Sequence, residues 1–341
     1  MAYNDDIFIK LSDIASSEPI APFLVSEKLA DRFRLEDNAA AFWKRVYQKG
    51  SIVSLLLIGI GISSSSAAVL FAGDRPWVEV AKVLSLASVL GLIVQLAVYV
   101  SGAKRNWLVA RYATERLRSV KAQLITLPVF LEPDVVEDKE RAQLIADEFV
   151  EFHIKDVAVA RSHKWGALEI CSVKDLVRRI PVNEPELNRY GALAQDAYQR
   201  NRVDYQRLFA NQEAEDLKNS TENWKGVGNS FVFLSATLAT VMIGVSFLEV
   251  PALTDGFQKG FLLGGIVLFA TSAIISASDK TSLHRPNYHR YKRYEEQIEA
   301  LSDEGTKAPR SFREYFLAME GLAISELREF CDDARQLSAR F

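Results

Sequence analysis

Two cysteines and four histidines are the side chains here that could bind metal or attack a substrate, and their spacing supports neither role. Cys171 and Cys331 form no CxxC pair, so they read as reduced structural thiols. His284 and His289 are five residues apart with no carboxylate beside them, which does not make a zinc site. His153 and His163, with Glu151 nearby, mark the one place where an unseen ligand would have to sit. Glu132, Asp134, Glu137, Asp138 and Glu140 cluster, but such a charge run reads as the solvated start of a helix. A phosphate-binding glycine loop, a GxSxG elbow, an HExxH zinc motif and a dinucleotide-binding glycine pattern are all missing from the sequence. The expectation is therefore a protein that is not an enzyme, with no catalytic residue, no cofactor and no metal.

The elements behind these residues are of two kinds. The chain has 341 residues, 49% hydrophobic and 25% charged, with a net charge of −3. Those averages hide four charge-free apolar runs of about 24, 21, 23 and 19 residues, between Lys49 and Asp74, Lys82 and Lys104, Lys225 and Glu249, and Lys259 and Asp279. A bilayer needs roughly 20 apolar residues in helical form, and a lipid-embedded segment must satisfy its own backbone, which leaves a helix. A single soluble globule, a secreted domain, a disulfide scaffold and a disordered tail are excluded. The first run begins only after about 50 residues that carry many charges of both signs, so this leader reads as part of the mature protein.

Lys and Arg in the flanks set the orientation. Lys44, Arg45 and Lys49 precede the first run, and Lys104, Arg105 and Arg111 follow the second. Similar basic groups precede the third and follow the fourth, while the two outer connectors hold only Arg75, Lys82 and Lys259. Both termini and the middle segment are expected on the cytoplasmic side of a bacterial inner membrane. Trp43, Tyr47, Trp77, Tyr99, Trp107 and Trp224 stand near the run ends, where aromatic rings favour the headgroup level. Basic residues at an inner membrane face gain roughly 1 kcal/mol each from anionic lipid, which accounts for them without nucleic acid as a partner.

The runs carry no Asp, Glu, Lys, Arg or His, which argues against proton relays, voltage sensors and ion-coupled transport. Gln95 is the strongest polar group in the second run and reads as helix–helix glue. Ser63, Ser64, Ser65 and Ser66 run unbroken through the first, and Gly260 and Gly264 form a GxxxG pair in the fourth. Small residues let helix backbones approach closely. They are candidates for helix packing or, in a homo-oligomer, for lining a pore.

The charged remainder reads as helical throughout. Helices are expected over Lys104–Thr126, 134–165, 186–223, 287–302 and 311–340, broken at Pro128, Pro133, Pro181, Pro185, Gly305 and Pro309. Glu115 stands four residues after Arg111 and three before Arg118, positions that allow ion pairs on one helix face. Val136, Leu144, Ile145, Phe149 and Phe152 are the expected core positions of the second helix, and Tyr190, Leu193, Ala197, Val203, Leu208 and Phe209 those of the third. The fold class expected is an all-α membrane protein, four transmembrane helices as two hairpins plus a cytoplasmic helical domain. Its segments are 1–49, 50–103, 104–225, 226–278 and 279–341. Each half reads helix, hairpin, helix, with Arg111-Tyr112 and Arg293-Tyr294 in similar places, as a duplication would leave them.

Three segments carry a family likeness: Arg111 to Arg118 after the first hairpin, Tyr198 to Phe209 on the helix entering the second, and the last helix with Glu320, Glu326 and Phe330. Together they resemble the SLATT superfamily of paired-transmembrane proteins and its relative, the domain of unknown function numbered 4231, here as two tandem copies. Phe330 stands where the family often has Trp, and Thr114-Glu115 where it has Ala-Glu. The resemblance implies a membrane effector of bacterial anti-phage systems, triggered by a cytoplasmic signalling partner and acting as an oligomeric pore or membrane disruptor. It carries over no catalytic residue. A non-conducting scaffold that anchors a soluble partner, and a cytoplasmic-face enzyme, are the other readings of the same residues.

Overall fold

The charge pattern divides the chain as it folds. The structure, a computed structural model, describes residue 7 and residues 19–70, 75–162, 189–247, 255–282, 284–307 and 311–338. Among them the structure is helical, with no strand. The helices are α1 (Ala21–Leu24), α2 (Glu27–Leu70), α3 (Arg75–Val100), α4 (Ala103–Thr126), α5 (Pro133–Glu137), α6 (Lys139–Ser162), α7 (Arg189–Tyr198), α8 (Tyr205–Phe247), α9 (Asp255–Ser282), α10 (His284–Lys307) and α11 (Phe312–Ser338). A π-helical turn, Gln199–Asp204, joins α7 to α8. The expected breaks at Pro181 and Pro185, together with His163 and Cys171, lie outside the described residues.

Local chemistry sets several boundaries. Asp138 caps α6, its Oδ1 accepting from the backbone N–H groups of Glu140 and Arg141 at 3.1 Å. Ser311 caps α11 by accepting from the N–H of Glu314 at 3.2 Å. Between α3 and α4, Gly102 adopts φ 64°, the left-handed conformation that glycine takes without strain. The expected interruption at Gly305 does not occur, since α10 continues to Lys307.

The chain forms two units. One comprises Met1–Phe42, Arg105–Glu215 and Asn287–Phe341, and the other Trp43–Lys104 and Asp216–Pro286. The first is the charged unit. Its core holds Phe23, Phe33, Leu117, Leu124, Phe149, Tyr198, Ile298 and Phe316. Here α1 and α5 pack on α6, and α7 packs on the 3-10 turn Leu127–Val129. The Lys121 ammonium donates to the carbonyl of Leu24, one of the carbonyls that the end of α1 leaves without a helical partner. The buried face of α6 is Ala142, Ala146, Phe149, Val150, His153 and Val157. Leu144 and Phe152, expected in the core, are instead exposed, as is Leu208. On α6 the small Ala142 and Ala146 turn inward while Leu144 and Phe152 turn outward, so the larger apolar residue is not always the inward one.

The second unit is the apolar one. Helical stretches within Ala21–Leu70, Val78–Val129 and Lys259–Ala277 are long and apolar enough to cross a membrane. The described apolar part of α8, Gly226–Leu238, is shorter. Where α2 meets α3, the Ser54 hydroxyl donates to the carbonyl of Gly91 at 2.8 Å. A Cβ on Gly61 would come within 2.5 Å of the Cβ and backbone N of Ser88, and one on Gly91 within 2.8 Å of the Ser54 carbonyl oxygen. Where α8 meets α9, Ser235 donates to the carbonyl of Gly265 at 2.9 Å and Ser272 to that of Gly228 at 3.2 Å. Both hairpins therefore use one device, a serine hydroxyl that reaches a glycine carbonyl on the partner helix. The expected packing pair behaves differently. A Cβ on Gly264 would make only ordinary contact with Leu238 at 3.8 Å, and one on Gly260 would meet no described atom within 4 Å.

Candidate functional site

The most unusual chemistry among the described residues is a buried network of ions and phenols in the charged unit. Helix α4 supplies one wall. Its 3.6-residue period puts Arg111, Glu115, Arg118 and Ser119 on one face. Glu115 Oε1 accepts from Arg111 at 2.7 Å and from Arg118 at 2.8 Å, the pairing the spacing predicted. Arg118 is buried and also lies over the Phe33 ring, 5.3 Å from its centroid. Arg111, expected among the membrane-surface cations, pairs with Glu115.

The π-helical turn supplies the second wall and carries Arg202. A π turn spreads its residues differently from an α turn and is frequent at functional sites. Here the Gln199 amide donates to Asp204 at 3.0 Å, and Tyr315 of α11 donates to Gln199 Oε1 at 3.0 Å. Arg202 makes a two-point contact with Glu320 of α11, through Nε at 3.0 Å and Nη2 at 3.2 Å. Their side chains are only 5% and 1% exposed, which makes this a fully desolvated ion pair. Ser119 donates to Glu320 Oε2 at 2.7 Å and Tyr198 to Oε1 at 3.3 Å, so four donor groups converge on one carboxylate. Helix α10 closes the site. Tyr294 donates to Gln206 Oε1 at 3.5 Å, and Arg290 donates to Glu326 at 2.7 Å while lying 4.7 Å from the Phe330 ring centroid.

Burial dominates the protonation behaviour. Desolvation pushes the Tyr198 phenol well up, reinforced by the Glu320 charge, and Tyr294 is likewise raised by burial, so both stay neutral. Burial acts to lower Arg202, but the Glu320 carboxylate together with Tyr294 and Tyr198 outweighs it, so the guanidinium is raised. Burial alone would raise Glu115, but the charges of Arg111, Arg118 and Arg202 overcome it and hold the carboxyl below its ordinary value. A depressed carboxyl stabilises the fold above the unfolded-state pKa of about 4.3 and loses that contribution as pH falls through its lower folded value. Acid unfolding of Glu115→Gln should therefore be shallower than that of the native chain below about pH 4, as followed by circular dichroism.

The other sequence candidates are scattered. Ser63, Ser64, Ser65 and Ser66 lie along α2, where Ser65 donates to the Gly61 carbonyl at 2.9 Å and Ser66 to that of Ile62 at 3.0 Å. Gln95 is exposed on α3. Lys44, Arg45, Lys49 and Arg105 are exposed, and Lys104 lies 5.8 Å from the Tyr47 ring centroid. His153 is buried against the Phe149 and Phe152 rings at 4.5 and 5.2 Å, while Glu151 pairs with Lys155 at 2.8 Å. Residues two apart do not share a helix face, so these two form no common site. The pairing of Arg202 with Glu320 has no local signal, because the partners are 118 residues apart. Their joint presence in the segments that carry the family likeness was the one available hint. No family model, curated protein or solved structure matches the chain.

Proposed function

We propose that this protein is a SLATT-like, homo-oligomeric effector of a bacterial inner membrane. It is multi-pass, with four spans and both termini cytoplasmic, and it opens a pore or perturbs the bilayer on a cytoplasmic signal, in anti-phage defence. The carrying observation is the division of one chain into an apolar unit, with helices long enough to span lipid, and a charged helical unit built on a buried ion network. The apolar runs hold no ionisable group for coupled transport, and among the described residues the charged unit presents no nucleophile–base pair. Such a protein acts by assembly and rearrangement rather than by catalysis. The four-span topology rests on the charge-free run at residues 226–248 together with the three helices that meet the length.

A second reading is a non-conducting scaffold for a soluble partner. The bonding of Ser65 and Ser66 back to their own helix favours it, since such hydroxyls are already satisfied and need no water-filled lumen. The two readings separate in a voltage-sensitive dye assay on cells expressing the protein, with and without phage challenge. The effector reading expects depolarisation on challenge, lost when Ser63, Ser64, Ser65 and Ser66 are all replaced by Leu. An unchanged potential with the native protein in the membrane would leave the scaffold.

A further inference from the structure

The three serines of the second charge-free run are satisfied close to home. Ser85 donates to the Lys82 carbonyl at 2.6 Å, Ser88 to that of Ser85 at 2.8 Å and Ser101 to that of Val98 at 2.8 Å. A hydroxyl can do this because its short arm meets the carbonyl three or four residues back. Gln95 of the same run is different. It is exposed on α3, and among the described residues its amide has no hydrogen-bond partner. Its oxygen needs a donor, and inside a helix every backbone N–H is already used on the carbonyl four residues back.

Depth makes this amide hard to leave alone. Gln95 stands near the middle of the run between Lys82 and Lys104. The nearer of these charges is nine positions away, roughly 13 Å at the helical rise. A glutamine side chain is too short to bring its amide to the headgroups from there. Water is absent from the apolar core and lipid tails neither donate nor accept, so an unpaired amide at that depth is strongly unfavourable. The partner must come from outside the chain.

A second copy supplies it. The Gln95 NH2 donates and its oxygen accepts, so the group is its own complement. Two copies related by a two-fold axis place the same residue on both sides of the contact, and two such amides can exchange two hydrogen bonds. The surrounding surface is open to such a neighbour. Leu92 and Tyr99, three positions before and four after, share this side of α3 and are both exposed, while Gly91 and Val98 are buried. We propose that α3 is a contact between copies of this chain, in which Gln95 pairs with Gln95 of a second copy. The inference rests on the membrane reading, since water would satisfy the amide outside lipid.

The test reconstitutes full-length protein, one fluorophore per chain, in vesicles of phosphatidylethanolamine and phosphatidylglycerol at falling protein-to-lipid ratio. Stepwise photobleaching counts the copies that remain together. Gln95→Leu should weaken association about 5- to 30-fold, the range for an interhelical hydrogen bond in lipid. Its fold should survive, because the protomer uses no bond from Gln95, and circular dichroism checks this. Gln95→Asn keeps an amide and should retain most of the association. Ile93→Ala changes an exposed residue on nearly the opposite side of α3 and should alter association less than about twofold. Equal association of the native chain and Gln95→Leu, a native chain that stays monomeric at every ratio, or a loss in Ile93→Ala as large as in Gln95→Leu would each overturn the proposal. Alkaline extraction of the same vesicles separates the two readings. If the chain resists extraction, those results remove the Gln95 contact and leave the membrane reading intact. If alkali strips the native chain from the vesicles, the membrane reading fails and the proposal fails with it.

Discussion

Glu320→Ala is expected to destabilise the charged unit by about 3–5 kcal/mol, the usual cost of removing one partner from a buried ion pair. The loss goes beyond one contact. Arg202 cannot be deprotonated under ordinary conditions, so its charge would stay buried and unpaired. Ser119 and Tyr198 would lose their acceptor at the same time. Hydrogen exchange in full-length protein should show Phe312–Ser338 opening faster by a factor on the order of 10²–10³. Replacing both partners, Arg202→Met with Glu320→Leu, should recover most of the loss, because a well-packed apolar pair often equals or exceeds a buried ion pair in stability. The cycle of single and double variants therefore separates the cost of an orphaned charge from the net value of the pair. A single-variant cost below about 1 kcal/mol would mean that water reaches the pair, as at a surface salt bridge.

What the sequence reveals about this network follows from distance along the chain. The Glu115 pairs are legible because helix period fixes who stands beside whom within a turn. The caps at Asp138 and Ser311 are local for the same reason. Arg202 is different. Its environment depends on a π turn, which propensity does not signal, and on a carboxylate in the last helix. Reading α6 by size placed Leu144 and Phe152 in the core, whereas Ala142 and Ala146 are buried there. Which face of an amphipathic helix turns inward is decided by what packs on it, and that information lies elsewhere in the chain.

The charge-free runs are legible from composition alone, and three helices that carry them are long and apolar enough to cross a membrane. Helix pairing inside the apolar unit is not legible that way. Gly260 and Gly264 match a known pattern and make no close approach to any described residue, while Gly61 and Gly91 are met by the partner helix's backbone, at 2.5 and 2.8 Å from where a Cβ would stand. A glycine is needed where a neighbour's backbone arrives, and the neighbour of Gly61 is Ser88 on another helix. The pattern GxxxG records only half of such a contact.

This contrast gives a second large effect. Gly61→Leu should cost more than the 1–3 kcal/mol typical of overpacking, because the first added carbon meets Ser88 Cβ and backbone N at 2.5 Å and Ser88 Cα at 2.8 Å. A side chain can rotate away from a clash, but a backbone on a packed helix cannot. Helices α2 and α3 must separate, and the Ser54 bond to the Gly91 carbonyl stretches with them. In lipid no hydrophobic force closes the gap again, since tails solvate the parted faces as well as leucine does. Gly260→Leu is the matched control. With no described atom within 4 Å of where its Cβ would stand, it should change the stability of the isolated protomer by less than about 0.5 kcal/mol. Unfolding in mixed detergent micelles at low protein concentration measures both. If Gly260→Leu is neutral there yet weakens self-association at high concentration, the GxxxG face belongs to contacts between copies, and Gly61 to the contact that makes the hairpin. If Gly61→Leu is as mild as Gly260→Leu, α2 and α3 do not pack through Gly61 and Ser88, and the serine–glycine device common to both hairpins loses its structural role.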